Sequence, residues 1–176
     1  MYLISVYFDE KTNKKLQRYI DWIADKTGNT FMTDNHVPPH LTISSVEARN
    51  VEQLVPCIQG LQGKLTSGTV QFVSVGMLLP YVLYVTPVLN EYLQGLSKQI
   101  YEAILADEEI TVSKYYKPMQ WLPHITLGKK LSKEQMRTAI AVLQEGFVPF
   151  EGKITEIGLA KTNPHEDVVK YRLDNE

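Results

Sequence analysis

The sequence has a single cysteine, Cys57, so an internal disulfide is impossible and a disulfide-stapled scaffold is excluded. It also lacks a basic excess, because 18 lysines and arginines stand against 20 aspartates and glutamates, a formal net charge of −2. Broad, electrostatically driven nucleic-acid surfaces usually show as a basic excess, so we expect no long nucleic acid as a partner. A small site for one or two phosphates is compatible with this charge.

Long hydrophobic runs are absent as well. No apolar stretch approaches the ~20 residues that cross a bilayer, so no membrane partner is expected. The apolar N-terminus, residues 1–8, has no basic segment and is too short for the apolar region of a signal peptide. Together with the lone cysteine, these absences favour a cytoplasmic protein.

The composition is that of an ordinary globular protein, with 44% hydrophobic and 22% charged residues. This supplies enough apolar material for one packed core, and 176 residues suit one domain. No linker, low-complexity segment or block of like charge divides the chain. We therefore expect residues 1–176 to form a single bilobal domain, with lobes at about 1–78 and 79–176, and the protein to be a monomer.

Hydrophobic periodicity predicts the same order of elements twice: strand, helix, short strand, helix, strand, with one further strand at the end. The predicted strands cover residues 1–8, 40–44, 69–75, 81–86, 124–128, 153–159 and 168–173. Helical stripes of apolar residues lie within 16–24, 51–61, 89–103 and 136–143. Pro56 lies inside the second stripe, so a kink or a late start is expected there. This pattern predicts an α+β fold with a pseudo-two-fold axis.

One short motif occurs at equivalent places in the two halves, as PHLTI at 39–43 and PHITL at 123–127. Alternate side chains of a strand point to one face, so each histidine shares a face with the threonine two residues later. A single His-x-Thr is common by chance, and a histidine on a strand is usually structural. Two copies in a repeated topology instead indicate one site, with two imidazoles and two hydroxyls facing each other across a cleft.

These side chains suit cleavage of a phosphodiester. A neutral histidine can take a proton from the attacking water, and a protonated histidine can give one to the leaving oxygen. Threonine hydroxyls can donate hydrogen bonds to the non-bridging phosphate oxygens, where negative charge develops. We therefore predict His40, Thr42, His124 and Thr126 as catalytic residues, with no metal ion and no cofactor. The sequence leaves open which histidine is the base.

Aromatic and lysine side chains flank both motifs and form a second, more open set of candidates. Phe31 precedes the first motif, and Tyr115, Tyr116 and Lys117 precede the second. They can form a rim that stacks on a base and attracts phosphate, or they can simply cover the loops. Tyr84, in the middle of the strand at 81–86, can point into the cleft or pack in the core.

The remaining histidines are expected to have no part in the chemistry. His36 and His40 are four residues apart, but Pro38 and Pro39 lie between them, so no helix can place both on one metal ion. His165 is expected to be an exposed loop residue.

The paired His-x-Thr motifs, with hydrophobic residues between and after, resemble the two-histidine (2H) phosphoesterase superfamily, which includes RNA 2′,3′-cyclic phosphodiesterases and 2′-5′ RNA ligases. The resemblance covers nearly the whole chain: the opening strand, both motifs and the strand at 81–85. It implies two βαβ-type lobes flanking a central cleft, with His40 and His124 as the acid–base pair and Thr42 and Thr126 as phosphate ligands. It also implies a phosphoric diester hydrolase, whose partner is a nucleotide or RNA end with a cyclic or 2′-linked phosphate.

The sequence departs from many RNA-acting relatives after the second motif, where they are arginine-rich and this chain has Lys129 and Lys130. That difference and the acidic balance favour a small nucleotide or an RNA end as the substrate. The alternative from another class is a non-catalytic module that binds a nucleotide or RNA end on the same fold. Two intact histidines argue against it, because a binder needs no second proton-transfer group. Ligation, the reverse reaction, would use the same residues and stays open.

Overall fold

The computed structural model describes residues 1–162 and 165–174. Within these residues, eight strands form one sheet and five α-helices pack with it. The strands are β1 (Tyr2–Phe8), β2 (Leu41–Glu47), β3 (Gly68–Leu78), β4 (Val82–Pro87), β5 (Thr111–Val112), β6 (Ile125–Gly128), β7 (Phe150–Lys161) and β8 (Glu166–Arg172). The helices are α1 (Glu10–Thr27), α2 (Phe31–Asp34), α3 (Leu54–Gln59), α4 (Glu91–Leu105) and α5 (Lys133–Gly146), with a 3₁₀ turn at Lys114–Tyr116.

The order of the strands shows how the two halves of the sequence combine. It runs β5-β2-β1-β7-β3-β4-β6, with β8 beside β7, and the strand pairs are antiparallel. β1 lies between β2 and β7, and its counterpart β4 lies between β6 and β3. Each half of the sheet therefore takes its third strand from the other half of the sequence. The order of these six strands is symmetric about the β7–β3 pair.

Local capping explains where the long helices begin and end. The carboxylate of Asp9 accepts from the backbone N–H of Thr12 to start α1, and Gly28 ends it with φ of 68°. Such a left-handed residue favours glycine because it has no Cβ. Ser132 and Gln135 form both hydrogen bonds of a capping box at the start of α5.

The helix near Pro56 has a late start, one of the two outcomes that the sequence predicts. The side chain of Asn50 accepts from the backbone N–H of Gln53 at 3.2 Å, and the helix begins only at Leu54. Pro56 then lies in the first helical turn, where the backbone N–H has no partner within the helix. The proline is tolerated there.

The motif strands are held by the core that lies on their apolar side. Leu41 and Ile43 of β2, and Ile125 and Leu127 of β6, are all at most 1% exposed. The helices cross over in the same way as the strands, since α1 packs against β6 and α4 packs against β2. Each motif strand is thus fixed by apolar contacts to the other half of the chain. Among the described residues, no helix has the length and apolarity to span a bilayer.

Candidate active site

Both motifs open onto the same cleft. His40, Thr42, His124 and Thr126 all line this cavity, whose volume is about 430 Å³. The alternation of the strands causes this, because the apolar residues between them face the core. The structure therefore brings together in one cleft the four side chains that the sequence singles out.

The two histidines are anchored in the same way. Nδ1 of His40 lies 2.8 Å from the carbonyl oxygen of Pro38, and Nδ1 of His124 lies 2.9 Å from that of Leu122. A carbonyl oxygen can only accept, so each Nδ1 must carry the hydrogen. Nε2 is then the ring nitrogen of each neutral imidazole that is free to accept a proton.

The surroundings of His40 favour its neutral form. Its ring stacks on that of His165, with 5.7 Å between centroids and 28° between planes, and Tyr7 lies on another side at 6.3 Å. The pKa of His40 is lowered to about 4, and burial is the largest cause. His165 and His124 also lower this pKa, whereas the Pro38 carbonyl and Asp167 act in the opposite direction. His40 is therefore uncharged at neutral pH.

His124 has a different neighbour, Tyr84. The two rings meet edge to face, with 5.3 Å between centroids and 60° between planes. Tyr84 is only 9% exposed, and its register partner on β6 is Thr126. The predicted alternative in which Tyr84 packs is thus the one observed, and it packs against a motif histidine. The hydroxyl of Thr86 donates to the Pro123 carbonyl at 2.8 Å and fixes the backbone next to His124.

The two motif threonines also differ in their surroundings. Thr42 is 8% exposed, and its Oγ1 shares a hydrogen bond of 3.3 Å with Oγ of the buried Ser5. Thr126 is less buried. Both hydroxyls lie in the cleft, where they can donate to the oxygens of an anion.

The predicted aromatic rim is only partly inside the cleft. Phe31 and Tyr116 line it, and burial raises the pKa of Tyr116, so this residue keeps its proton. Tyr115 is 68% exposed, and the Lys114 ammonium lies 5.1 Å from the centre of its ring on the outer surface. Lys117 is exposed too. Tyr115 and Lys117 do not line the cleft: successive side chains of the 3₁₀ turn point in different directions, and Lys117 follows the turn. Their role in substrate binding stays a prediction.

Two lysines that the sequence did not assign to the site form part of the cleft wall. Lys129 and Lys130 line the cleft, and their Nζ atoms lie 5.8 and 4.6 Å from the ring centre of Phe31. They provide positive charge next to an aromatic face, in a chain that is slightly acidic overall. The sequence signal that could have assigned them to the site is their position directly after the second motif strand.

His165 is the other residue that sequence reasoning missed: it lies in the turn before β8, as the prediction of a loop residue requires, but the expected exposure is wrong. Its side chain is 14% exposed and lines the cleft. The reason is that β8 pairs with β7, and this pairing places His165, the residue before β8, against the ring of His40. Within 1–162 and 165–174, no three His, Cys, Asp or Glu side chains come together in a group that could hold a metal ion.

A family model described as the 2′-5′ RNA ligase superfamily matches residues 14–166, which is most of the chain. The chain belongs to this superfamily. This confirms the resemblance to the two-histidine phosphoesterases, and membership supports a phosphoesterase-type role in phosphoryl transfer. A search of curated protein sequences gives no match.

Solved structures share the fold of this superfamily member over nearly its whole length. TT0787 of Thermus thermophilus is 15% identical, with 99% of this chain and 98% of that chain covered and a TM-score of 0.65. E. coli LigT in complex with 3′-AMP is 15% identical, with 98% and 97% covered and a TM-score of 0.62. E. coli LigT has also been solved with ATP, at a TM-score of 0.61 and 16% identity, with 98% and 96% covered. The predicted α+β fold is thereby confirmed.

Proposed function

We propose that this chain is a phosphoric diester hydrolase that uses His40 and His124 to open a 2′,3′-cyclic phosphate, or to cleave a related 2′-5′ linkage, at a nucleotide or RNA end. One observation carries the proposal. Both histidines donate Nδ1–H to a backbone carbonyl, so Nε2 of each is the nitrogen that can exchange a proton with the substrate. Both rings line one cleft, together with the threonines two residues after them, Thr42 and Thr126. Proton transfer by two such groups requires no metal ion.

We infer the roles of the two histidines in hydrolysis from their surroundings. A water oxygen attacks phosphorus while Nε2 of the neutral His40 takes its proton. The bond from phosphorus to the leaving ribose oxygen breaks, and protonated His124 gives that oxygen its proton. The product is a phosphomonoester with a free hydroxyl, and both histidines then exchange protons with solvent. His40 is suited to the first role because burial keeps it neutral.

The rest of the cleft fits a small phosphoester. Thr42 and Thr126 can donate to the non-bridging oxygens, which gain negative charge in the transition state. Lys129 and Lys130 attract the phosphate, and Phe31 offers a face for a base. A volume of about 430 Å³ is in the range of small-molecule pockets. Nucleotide complexes of E. coli LigT support the same ligand class.

The test measures turnover of the nucleoside 2′,3′-cyclic phosphates and of 2′-5′ linked dinucleotides in excess EDTA. We compare the wild type with His40→Ala and His124→Ala. His36→Asn is the matched control, because His36 is exposed and its φ of 49° is one that asparagine tolerates. We expect EDTA-resistant turnover in the wild type and the control, and a loss of at least about 10²-fold in each alanine variant.

Two other outcomes would change the conclusion. Binding of nucleoside monophosphates without turnover of any substrate on the panel would indicate a non-catalytic binding module. Formation of a 2′-5′ bond between an RNA with a cyclic phosphate end and one with a 5′-hydroxyl end would show ligation by the same residues. Full activity in both alanine variants would refute the acid–base roles.

A further inference from the structure

His165 is a third histidine in the cleft, outside both motifs. It precedes β8, stacks on His40 with 5.7 Å between ring centroids, and lines the cleft. Its Nε2 lies 3.2 Å from Oδ1 of Asp167. The histidine is therefore oriented by a carboxylate two residues along the chain and faces the space where the proposed substrate would lie.

Asp167 is held as a carboxylate by its other partners. Its Oδ1 also accepts from the Tyr7 hydroxyl at 3.1 Å, and its Oδ2 lies 3.2 Å from the Lys170 ammonium. Burial acts to raise the pKa of Asp167, but Lys170, Tyr7 and His165 together lower it below its ordinary value. Burial and Asp167 both raise the pKa of Tyr7, so the phenol stays a donor. An ionised carboxylate can only accept, and Nε2 of His165 must therefore carry the hydrogen.

This bond determines what Nδ1 of His165 can do. In the neutral ring Nδ1 is an acceptor, which repels an anion. In the protonated ring it is a donor, and an imidazolium between a carboxylate and an anion is stabilised from both sides. A positive charge here would also help to keep His40 neutral, since His165 is among the groups that lower the pKa of His40.

We propose that His165 is a substrate-binding residue, which takes up a proton and donates Nδ1–H to a negatively charged oxygen of the bound phosphoester while Asp167 holds Nε2. This inference deepens the proposed function and rests on it for the identity of the substrate. The charged and titratable groups around His165 come from several elements. Asp167 and His40 contact it, Tyr7 and Lys170 bind Asp167, and the Lys161–Glu166 ion pair involves the next residue in the chain. The same cleft is also lined by His124, Tyr116, Lys129 and Lys130.

Sulfate is a suitable probe, because it keeps both charges at every pH used and needs no turnover. The imidazole nitrogens are followed by NMR in ¹⁵N-labelled full-length protein during sulfate titrations at pH 6, 7 and 8. His165→Gln keeps an amide that can bond Asp167 but has no group at the Nδ1 position. Asp167→Asn keeps the shape and removes the charge. His36→Asn is again the control.

In the wild type, sulfate should shift the His165 nitrogens towards imidazolium values at pH 7, and sulfate affinity should fall as pH rises. His165→Gln should weaken sulfate binding about tenfold to hundredfold at pH 6, the effect of losing a hydrogen bond to a charged group. The difference between this variant and the wild type isolates His165, because His124 is present in both. Asp167→Asn should move the pH dependence to lower pH, and His36→Asn should match the wild type.

Two results would overturn the proposal. One is a His165 ring that stays neutral when sulfate saturates the cleft. The other is a His165→Gln protein with lower kcat on a cyclic phosphate but unchanged sulfate affinity and pH dependence, since this would show only structural support for His40. Absence of turnover in the wild type would refute the proposed function and leave the sulfate result intact, so the two failures are distinguishable.

Discussion

His40 must take up a proton when the protein unfolds in mildly acidic solution, and the structure sets the size of that effect. Its pKa is about 4 in the folded protein and 6.5 ordinarily. Between these values the unfolded chain binds a proton at His40 that the folded chain does not bind. The free energy of unfolding therefore decreases as pH falls through this window, and the stabilisation is fully present above pH 6.5.

The magnitude follows from the width of the window. Each pKa unit is worth ~1.4 kcal/mol, so the interval corresponds to about 3 kcal/mol. His40 retains some contact with solvent in the cleft, and we therefore expect a loss of about 2 to 3 kcal/mol between about pH 7 and pH 4.

The assay is urea unfolding of the wild type and of His40→Asn at several pH values across the window. The asparagine amide can still donate to the Pro38 carbonyl, and it does not titrate. Other histidines and carboxylates titrate in both proteins, so the difference between the two curves reports His40. The wild type should lose about 2 to 3 kcal/mol more than the variant on acidification.

Parallel stability curves would refute the reasoning, because they would show that the pKa of His40 is not lowered by folding. The role of His40 as the neutral base would then lose its physical basis. The ¹⁵N spectrum of His40 provides a second check. At pH 7 it should show the tautomer with hydrogen on Nδ1, and a spectrum with hydrogen on Nε2 would contradict the anchoring by Pro38.

Three further substitutions test the site and the fold. Thr126→Val removes a cleft hydroxyl and keeps the shape, so kcat/KM on a cyclic phosphate should fall ~10²-fold, and an unchanged value would contradict the phosphate contact. Gly76→Ala places a methyl 2.5 Å from the Tyr84 hydroxyl, and the free energy of unfolding in urea should fall by about 1–3 kcal/mol. The kcat should fall too, because Tyr84 packs on His124. Adding Tyr84→Phe to this variant should restore part of both losses. Gly95→Ala in α4 meets nothing within 4 Å and should raise the free energy of unfolding by about 0.5–1 kcal/mol with kcat/KM unchanged, and a decrease would contradict the open space there.

Features that depend on neighbouring residues could be predicted from the sequence. The capping box at Ser132, the glycine stop at Gly28 and the late start near Pro56 are local, so their patterns carry the information. The alternation within 39–43 and 123–127 likewise fixes which side chains share a face. The duplicated order of elements then placed both motifs at one site.

Features that depend on pairing across the chain could not be predicted. The exchange of β3 and β7 between the two halves follows from sheet topology, which periodicity does not encode. The position of His165 requires β8 to pair with β7, and its flanking residues look like an ordinary loop. The different directions of Tyr115 and Tyr116 depend on a single 3₁₀ turn.

The asymmetry of the site comes from β8, which has no counterpart in the duplicated order. β1 to β3 correspond to β4, β6 and β7, and this symmetry gives His40 and His124 the same anchor through Nδ1. β8 lies outside that correspondence, and it brings His165 and Asp167 to His40 alone. Two histidines with equivalent backbone anchors thus have different surroundings, because only His40 stacks on a third imidazole. Under the proposed function, this added strand decides which histidine accepts the proton in hydrolysis.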